Sequence, residues 1–309
     1  MSKVVTLIMP VFNQLPYTIQ AIESLQKFTD KESYNLIIID NASTDGTDSY
    51  LKMISNAYDN IIVVTNKENL GCAKAFNIGH NIILKKEEKP EFILWINNDI
   101  LFEDNWLQKM LKRFENSSVG MVGPTSDFTS GLQNIQYNIQ GLKTEETKFL
   151  IGFFQMMRTS LVEQIGEIEE SYGMGGAEEI DYCIRARKVG WKFLIARDIF
   201  IKHFGSKTLQ TLFGETIEKM NAYHLSIHQK LVDKWGEELI TELYTVDKER
   251  LRIGFGLPLR TNYVHRLFFS SAVMLLKPGK WDLIDAPRQQ VADARNLIVK
   301  KALELGCTH

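Results

Sequence analysis

Val4 to Met9 forms a short apolar run rich in β-branched residues, and beyond Pro10 the apolar positions Ile19, Ile22, Leu25 and Phe28 recur at helical spacing. Pro16 is placed to start that helix. This strand, loop, helix unit returns. Leu36 to Ile39 predicts a second strand, Asp40 to Thr47 a polar turn, and Tyr50, Leu51, Met53, Ile54 and Ala57 one face of a helix. Ile61 to Thr65, the loop Asn66 to Gly71 and the helical positions Ala75, Phe76, Ile82 and Ile83 repeat the unit again, and Phe92 to Ile96 is a fourth strand ending at Asn97-Asn98-Asp99. Strands and helices alternating at this interval predict an α/β fold with a mostly parallel, Rossmann-like sheet flanked by helices on both faces. Ligands of such sheets collect at the carboxyl ends of the strands, so the polar residues after each strand should converge on one crevice.

Further along, Trp106, Leu107, Met110, Leu111 and Phe114 mark an amphipathic helix and Val119 to Val122 a strand, while Asp127 to Thr147 is polar and aperiodic and reads as a surface loop region. Phe149 to Met157 predicts a strand, Glu178 to Val189 a helix with Ile180, Cys183 and Ile184 inward, and Lys192 to Ala196 and Ile199 to His203 two closing strands. After Gly205 only helical periodicity remains, in Leu225, Leu231, Val232 and Trp235. The expected division is an α/β domain over 1–207 and a helical C-terminal region over 208–309.

Composition narrows the class without choosing the chemistry. The chain has 309 residues, 44% hydrophobic and 24% charged, which excludes a collagenous or largely disordered protein. With 36 Lys+Arg against 38 Asp+Glu, no global polycation draws in nucleic acid. Cys72, Cys183 and Cys307 lack metal-like spacing, and their odd number argues against a disulfide framework. The N-terminus lacks the pattern of a secretory signal, and no window reaches the roughly 20 apolar residues of a membrane span. A cytoplasmic protein is expected, at most resting on a membrane. The apolar cluster Phe268, Phe269 and Val273 to Leu276 is the segment for such peripheral contact, or for packing against the α/β domain or a second copy.

Three constellations could carry chemistry. Asp40, Asn41 and Ser43 follow a strand, where carboxylate and amide groups can hydrogen-bond a base or ribose, although the same residues favour turns and helix caps. Asp99 follows another strand and could serve a divalent cation, with His203, at the end of a later strand, as second ligand or phosphate contact. Alternatively, Asp99 terminates a strand and His203 is structural. Glu178, Glu179 and Asp181 open a helix, where the macrodipole favours negative charge, but they also follow the glycine-rich stretch Tyr172 to Gly176. An ionised carboxylate there could take a proton from an attacking hydroxyl.

The order of the pieces distinguishes these readings. Val5 to Asn13 (VTLIMPVFN), Ile37 to Thr47 (IIIDNASTDGT), Asn69 to Gly79 (NLGCAKAFNIG), Leu94 to Leu107 (LWINNDILFEDNWL) and Ala177 to Trp191 (AEEIDYCIRARKVGW) resemble successive motifs of family-two glycosyltransferases over roughly the first two thirds of the chain. The resemblance implies the GT-A nucleotide-diphospho-sugar transferase fold and transfer of a sugar with inversion at the anomeric carbon. It implies that Pro10, Val11 and Asn13 lie near the nucleobase, that Asp40 binds the base, and that Asn69, Gly71 and Asn77 line the donor pocket. Asn97-Asn98-Asp99 takes the place of the Asp-X-Asp motif, with Asp99 and His203 at Mn²⁺ or Mg²⁺. Glu178-Glu179 stands where the family usually has Glu-Asp, which makes Glu179 the general base. The extra methylene of glutamate leaves Glu178 or Asp181 as alternatives. Asn97 in place of the first aspartate is similar to a rhamnosyltransferase-like subgroup.

The resemblance further implies a nucleotide-diphosphate sugar donor, UDP-linked by family frequency and otherwise dTDP- or GDP-linked. The acceptor would be a hydroxyl on a glycan, a lipid-linked sugar or another molecule, in bacterial glycan or glycoconjugate synthesis. Two competing readings remain: a nucleotide-sugar-binding protein with impaired catalysis, and a dinucleotide-dependent dehydrogenase. The second lacks the Gly-X-Gly-X-X-Gly turn, since Pro10-Val11-Phe12-Asn13 stands after the first strand.

Overall fold

A computed structural model describes residues 4–139, 141–205 and 217–244. The expected boundary at Lys207 and the apolar cluster from Phe268 to Leu276 lie outside those residues. The chain divides into two compact units, Met1–Leu231 and Val232–His309. The described part of the second holds the end of helix α7 (Ile217–Trp235) and helix α8 (Glu237–Tyr244). No helix among the described residues is long and apolar enough to cross a membrane.

The first unit is built on an eight-stranded sheet. Its first half runs β1 (Val5–Val11), α1 (Leu15–Phe28), β2 (Tyr34–Asp40), α2 (Thr47–Ala57), β3 (Ile61–Thr65), α3 (Gly71–Leu84) and β4 (Phe92–Ile96). The two-residue strand β5 (Ile100–Leu101), α4 (Trp106–Lys112), β6 (Val119–Thr125) and β7 (Thr144–Thr147) follow. The chain then forms β8 (Phe154–Arg158), α5 (Thr159–Ile165), α6 (Glu178–Lys188), β9 (Lys192–Phe200) and β10 (Lys202–His203). In space the strands lie in the order β3-β2-β1-β4-β8-β6-β9-β7. β8 is antiparallel to β4 and β6, and β7 to β9, while every other neighbour pair is parallel.

Side-chain alternation along the strands divides the core between the two faces of the sheet. Leu7, Met9, Leu36, Ile38, Leu94 and Ile96 join one buried cluster. Ile8, Ile37, Ile39, Ile93 and Trp95 join the other. Strands covered on both sides have no polar face, which is why they read as continuous apolar runs.

Several boundaries differ from expectation. Thr144–Thr147 is an edge strand rather than loop, because the Glu145 carboxylate is drawn inward by Arg197 of β9, both side chains being buried. Arg197 and Asp198 do not interrupt β9, which runs unbroken to Phe200. The strand expected over Phe149 to Met157 begins only at Phe154, since the Ile151 N–H donates to the Gln133 side chain at 2.7 Å and the Leu150 carbonyl accepts from Gln155 at 2.6 Å. Met53, placed on one face of a helix with Leu51 and Ile54, and Leu225, one of the positions that mark helical periodicity, are 60% and 64% exposed.

His80 on α3 is buried beside Trp95, whose indole N–H donates to His80 Nε2 at 2.8 Å. Burial pushes its pKa down to about 3. A neutral folded histidine stabilises above its unfolded pKa of about 6.5, and that contribution is lost as pH falls toward 3. Thermal unfolding of the wild type should therefore weaken between pH 6.5 and 4 more steeply than that of His80→Gln. Parallel curves would contradict this.

Candidate active site

β2 and β3 lie on one side of β1 and β4 on the other, so the chain reverses its lateral direction at β1, where α/β sheets open a crevice at the carboxyl ends of their strands. Val11 pairs with Asp40 at that edge, and the β4 turn follows Ile96 beside them. Asp40 is fully buried, and its Oδ1 accepts the Ser43 N–H at 3.0 Å while Oδ2 has no partner. A buried carboxylate oxygen without a donor is uncommon and marks a place where a ligand N–H fits. Asn13 ties the first two loops together, donating its N–H to Ser43 Oγ at 2.8 Å and accepting the Thr44 N–H at 2.7 Å. Asn13, Gln14 and Ala42 all have φ between 56° and 65°, a left-handed cluster of non-glycine residues costing about 1 kcal/mol or more each.

After β4 the backbone splits its hydrogen bonds between two distant segments. The Asn97 N–H donates to the Phe153 carbonyl at 3.0 Å, because β8 is antiparallel and starts at this edge. β5 then pairs with β10, setting His203 opposite Ile100. That ladder brings His203 Nε2 to 3.2 Å from Asp99 Oδ1, with both side chains buried. His203 Nδ1 lies 2.7 Å from the Phe128 carbonyl, which can only accept, so Nδ1 carries a proton and Nε2 is the ring atom left facing Asp99. The imidazole also stacks on Phe153 at 5.0 Å. A carboxylate oxygen beside an imidazole nitrogen, with the far nitrogen fixed by a carbonyl, is a donor set that suits a divalent cation. Asn97 Nδ2 approaches Nε2 at 3.2 Å, and Asn98 Nδ2 donates to Thr18 Oγ1 at 2.9 Å, so Asn98 fastens this turn to α1.

α6 precedes β9, so its N-terminus lies at the same edge of the sheet, and its three acidic residues have separate surroundings. Glu178 Oε2 accepts the Gly176 and Ala177 N–H groups at 2.6 and 3.0 Å. Asp181 is committed to Tyr172, whose hydroxyl donates at 3.2 Å, and to Arg185, whose Nε lies at 2.9 Å. Its side chain is therefore held in a structural ion pair, for which the i,i+4 Asp-Arg spacing is the sequence signal. Glu179 is buried with Oε2 unpaired. Burial, and next the Glu178 charge, push its pKa up to about 8 against hydrogen bonds from its own backbone and from Gly152.

Two contacts tie the start of α3 to its neighbours, one to the loop after β2 and one to the glycine-rich loop before α6. Asn41 Nδ2 donates to the Gly71 carbonyl at 3.4 Å, and the Cys72 N–H donates to the Met174 carbonyl at 3.3 Å. Gly71 has φ 81° and is shaped by Asn69, whose Oδ1 accepts its N–H at 3.0 Å. A Cβ at Gly71 would stand 2.5 Å from the Gly173 carbonyl, so only glycine permits this approach. The half-buried Cys72 thiol is pushed up in pKa by desolvation and next by the charges of Glu178, Glu179 and Asp99. Asn77 is spent elsewhere: its amide donates to the Ile168 carbonyl at 3.0 Å and to Glu170 at 2.9 Å, and accepts the Ile168 N–H at 2.8 Å. Gly152, Phe153 and Phe128 carry no signal in the sequence, since their roles arise from strand pairing and one backbone carbonyl.

Residues 6–166 match the family described as glycosyl transferase family 2. The chain is 22% identical over 227 residues to Glycosyltransferase AglE of Haloferax volcanii, covering 70% of each protein. Among solved structures, it superimposes on mannosyltransferase PcManGT from Pyrobaculum calidifontis in complex with GDP-Man and Mn²⁺, with a TM-score of 0.54 at 16% identity, over 100% of this chain and 89% of that one. It also resembles GalNAc-T7 with UDP, GalNAc and Mn²⁺, with a TM-score of 0.55 at 10% identity, over 65% of this chain and 44% of that one. These likenesses establish the GT-A fold.

Proposed function

The chain belongs to glycosyl transferase family 2, and from that premise we propose that it moves a sugar from a nucleoside diphosphate donor to an acceptor hydroxyl, with inversion. The observation that carries this reading is the pairing of Asp99 and His203, 3.2 Å apart, at the strand edge that also presents Asp40 and the α6 carboxylates. Asp40 holds the nucleobase, its unpaired Oδ2 accepting a ring N–H, as uracil, thymine and guanine offer. Pro10, Val11, Asn13, Asn41 and Ser43 shape that end of the pocket, while Asn69 and Gly71 shape its wall. Asn97 and Asn98 hold the turn that presents Asp99. Asp99 and His203 would hold Mn²⁺ or Mg²⁺, which would supply charge stabilisation for the departing diphosphate. Among the described residues no group of three His, Cys, Asp or Glu side chains that could hold a metal ion forms. The Mn²⁺ complexes of PcManGT and GalNAc-T7 support the cation, and their GDP-Man and UDP support the donor class.

Glu179 takes the acceptor proton, being the α6 carboxylate with a buried oxygen that has no hydrogen-bond partner. With its pKa near 8, the fraction able to accept a proton grows with pH, so kcat/KM should rise on a limb near pH 8. Glu178→Gln removes the neighbouring charge that raises this pKa, so the limb should move to lower pH. An unmoved limb in the pH-rate profile would contradict that coupling.

The reaction itself is tested with a panel of UDP-, dTDP- and GDP-sugars, each with Mn²⁺, Mg²⁺ or a chelator, following hydrolysis and transfer. Cation-dependent release of the nucleoside diphosphate is expected. Affinity without turnover would identify a nucleotide-sugar-binding protein instead. The expected cytoplasmic setting and glycan, lipid-linked or other hydroxyl acceptor accompany this reading.

A further inference from the structure

We propose that Tyr223 is a positioning residue for the transfer step, because its hydroxyl pins the glycine loop from which Glu178 and Glu179 are presented. The inference rests on the transferase reading and adds a residue that the family motifs do not contain.

The loop before α6 has a backbone that cannot hold itself. Gly173, Gly175 and Gly176 have φ of 87°, 135° and 129°, conformations that L side chains rarely adopt and that leave many alternatives open to glycine. One side of the loop rests on the donor-side segment through the Cys72 N–H to Met174 carbonyl bond. The other side is held by α7. Tyr223 Oη accepts the Gly175 N–H at 3.0 Å and donates to the Gly175 carbonyl at 2.9 Å, satisfying both backbone groups of one residue with one hydroxyl. The next two N–H groups, of Gly176 and Ala177, go to the Glu178 carboxylate, so the orientation of Gly175 passes directly into the position of Glu178.

The contact is a face of α7 rather than a single touch. Tyr223, Ile227 and Lys230 stand at i, i+4 and i+7 on one helical stripe. Ile227 is buried where a Cβ on Gly176 would meet it at 3.6 Å, and Lys230 Nζ donates to the Ser171 carbonyl at 2.8 Å. Ile227 and Lys230 set α7 against the loop, and Tyr223 chooses the loop's conformation. A loop released at Gly175 would still bind donor through the β1, β2 and β4 ends while presenting its carboxylates in many arrangements.

The test is Tyr223→Phe in the full chain, which keeps the ring and removes only the hydroxyl. Amide hydrogen exchange at Gly175 to Ala177 should speed up by about tenfold or more, with the Ser126 to Asn134 loop unchanged. With the nucleotide sugar that the wild type turns over best, kcat should fall about tenfold or more while donor KM stays within about twofold. A merely structural tyrosine would lower the unfolding temperature and leave kcat of the folded protein intact. Unchanged exchange, or faster exchange with unchanged kcat, overturns the proposal, as does a loss confined to donor KM. A wild type that turns over no nucleotide sugar would instead refute the transferase reading.

Discussion

Asp99→Ala should lose roughly 10³-fold or more of the cation-dependent rate, and added Mn²⁺ should not restore it. The change removes one of the two proposed protein ligands, and charge stabilisation at a departing diphosphate is worth several kcal/mol, at about 1.4 kcal/mol per factor of ten. Folding should survive, because the Asp99 bond to the chain that follows His203 uses its backbone carbonyl, which accepts the Phe204 N–H at 2.9 Å. The side chain's partner is His203, whose Nδ1 remains anchored on Phe128 without it. Steady-state rates across a Mn²⁺ titration, with unfolding temperature as a control, measure both. A variant that retains the rate at saturating Mn²⁺ would remove Asp99 from the cation.

Glu179→Gln should cut transfer by roughly 100-fold or more while nucleotide binding persists. The amide keeps the size and an acceptor for the Gly152 N–H but cannot take a proton. The same substitution should stabilise the protein in alkaline solution. A carboxyl whose pKa is about 8 in the fold and near 4.5 unfolded contributes stability that is present below pH 4.5 and lost as pH rises through 8. At pH 9 the wild type carries a buried charge beside Glu178, and glutamine removes it. The unfolding temperature of Glu179→Gln should therefore exceed that of the wild type at pH 9 by about 2 °C or more, and the advantage should shrink by pH 5. A variant as active as the wild type would return the base role to Glu178, since Asp181 is held by Tyr172 and Arg185.

The parallel half of the fold was legible because its strands are buried on both faces and read as unbroken runs such as Ile37 to Ile39, each followed by polar residues that end it. The membership of Asp40, Asp99, Glu179 and His203 in strand-end or helix-start turns was legible for the same reason. The Asp99–His203 contact was not readable from periodicity, since it depends on the two-residue strands β5 and β10, which are too short to carry a period. β7 escaped because an edge strand of Thr and Glu hides its one inward residue, Glu145, until Arg197 is seen opposite. Asn77 shows the converse. Its place in a motif points to the donor pocket, yet its amide is consumed in clamping α3 to the Ile168 segment. Tyr223 lies 48 residues from Gly175, and no local pattern links a helical tyrosine to a glycine loop.

The proposed transferase brings a cation-binding pair, a base-binding carboxylate and a proton acceptor to one strand edge. Crystals grown with UDP or GDP and Mn²⁺, with anomalous scattering collected at the manganese edge, test that arrangement most directly. A manganese peak is expected within about 2–2.5 Å of both Asp99 and His203 Nε2, touching the diphosphate, with the nucleobase against Asp40. Manganese coordinated elsewhere, or a nucleotide whose diphosphate lies away from Asp99 and His203, would contradict it.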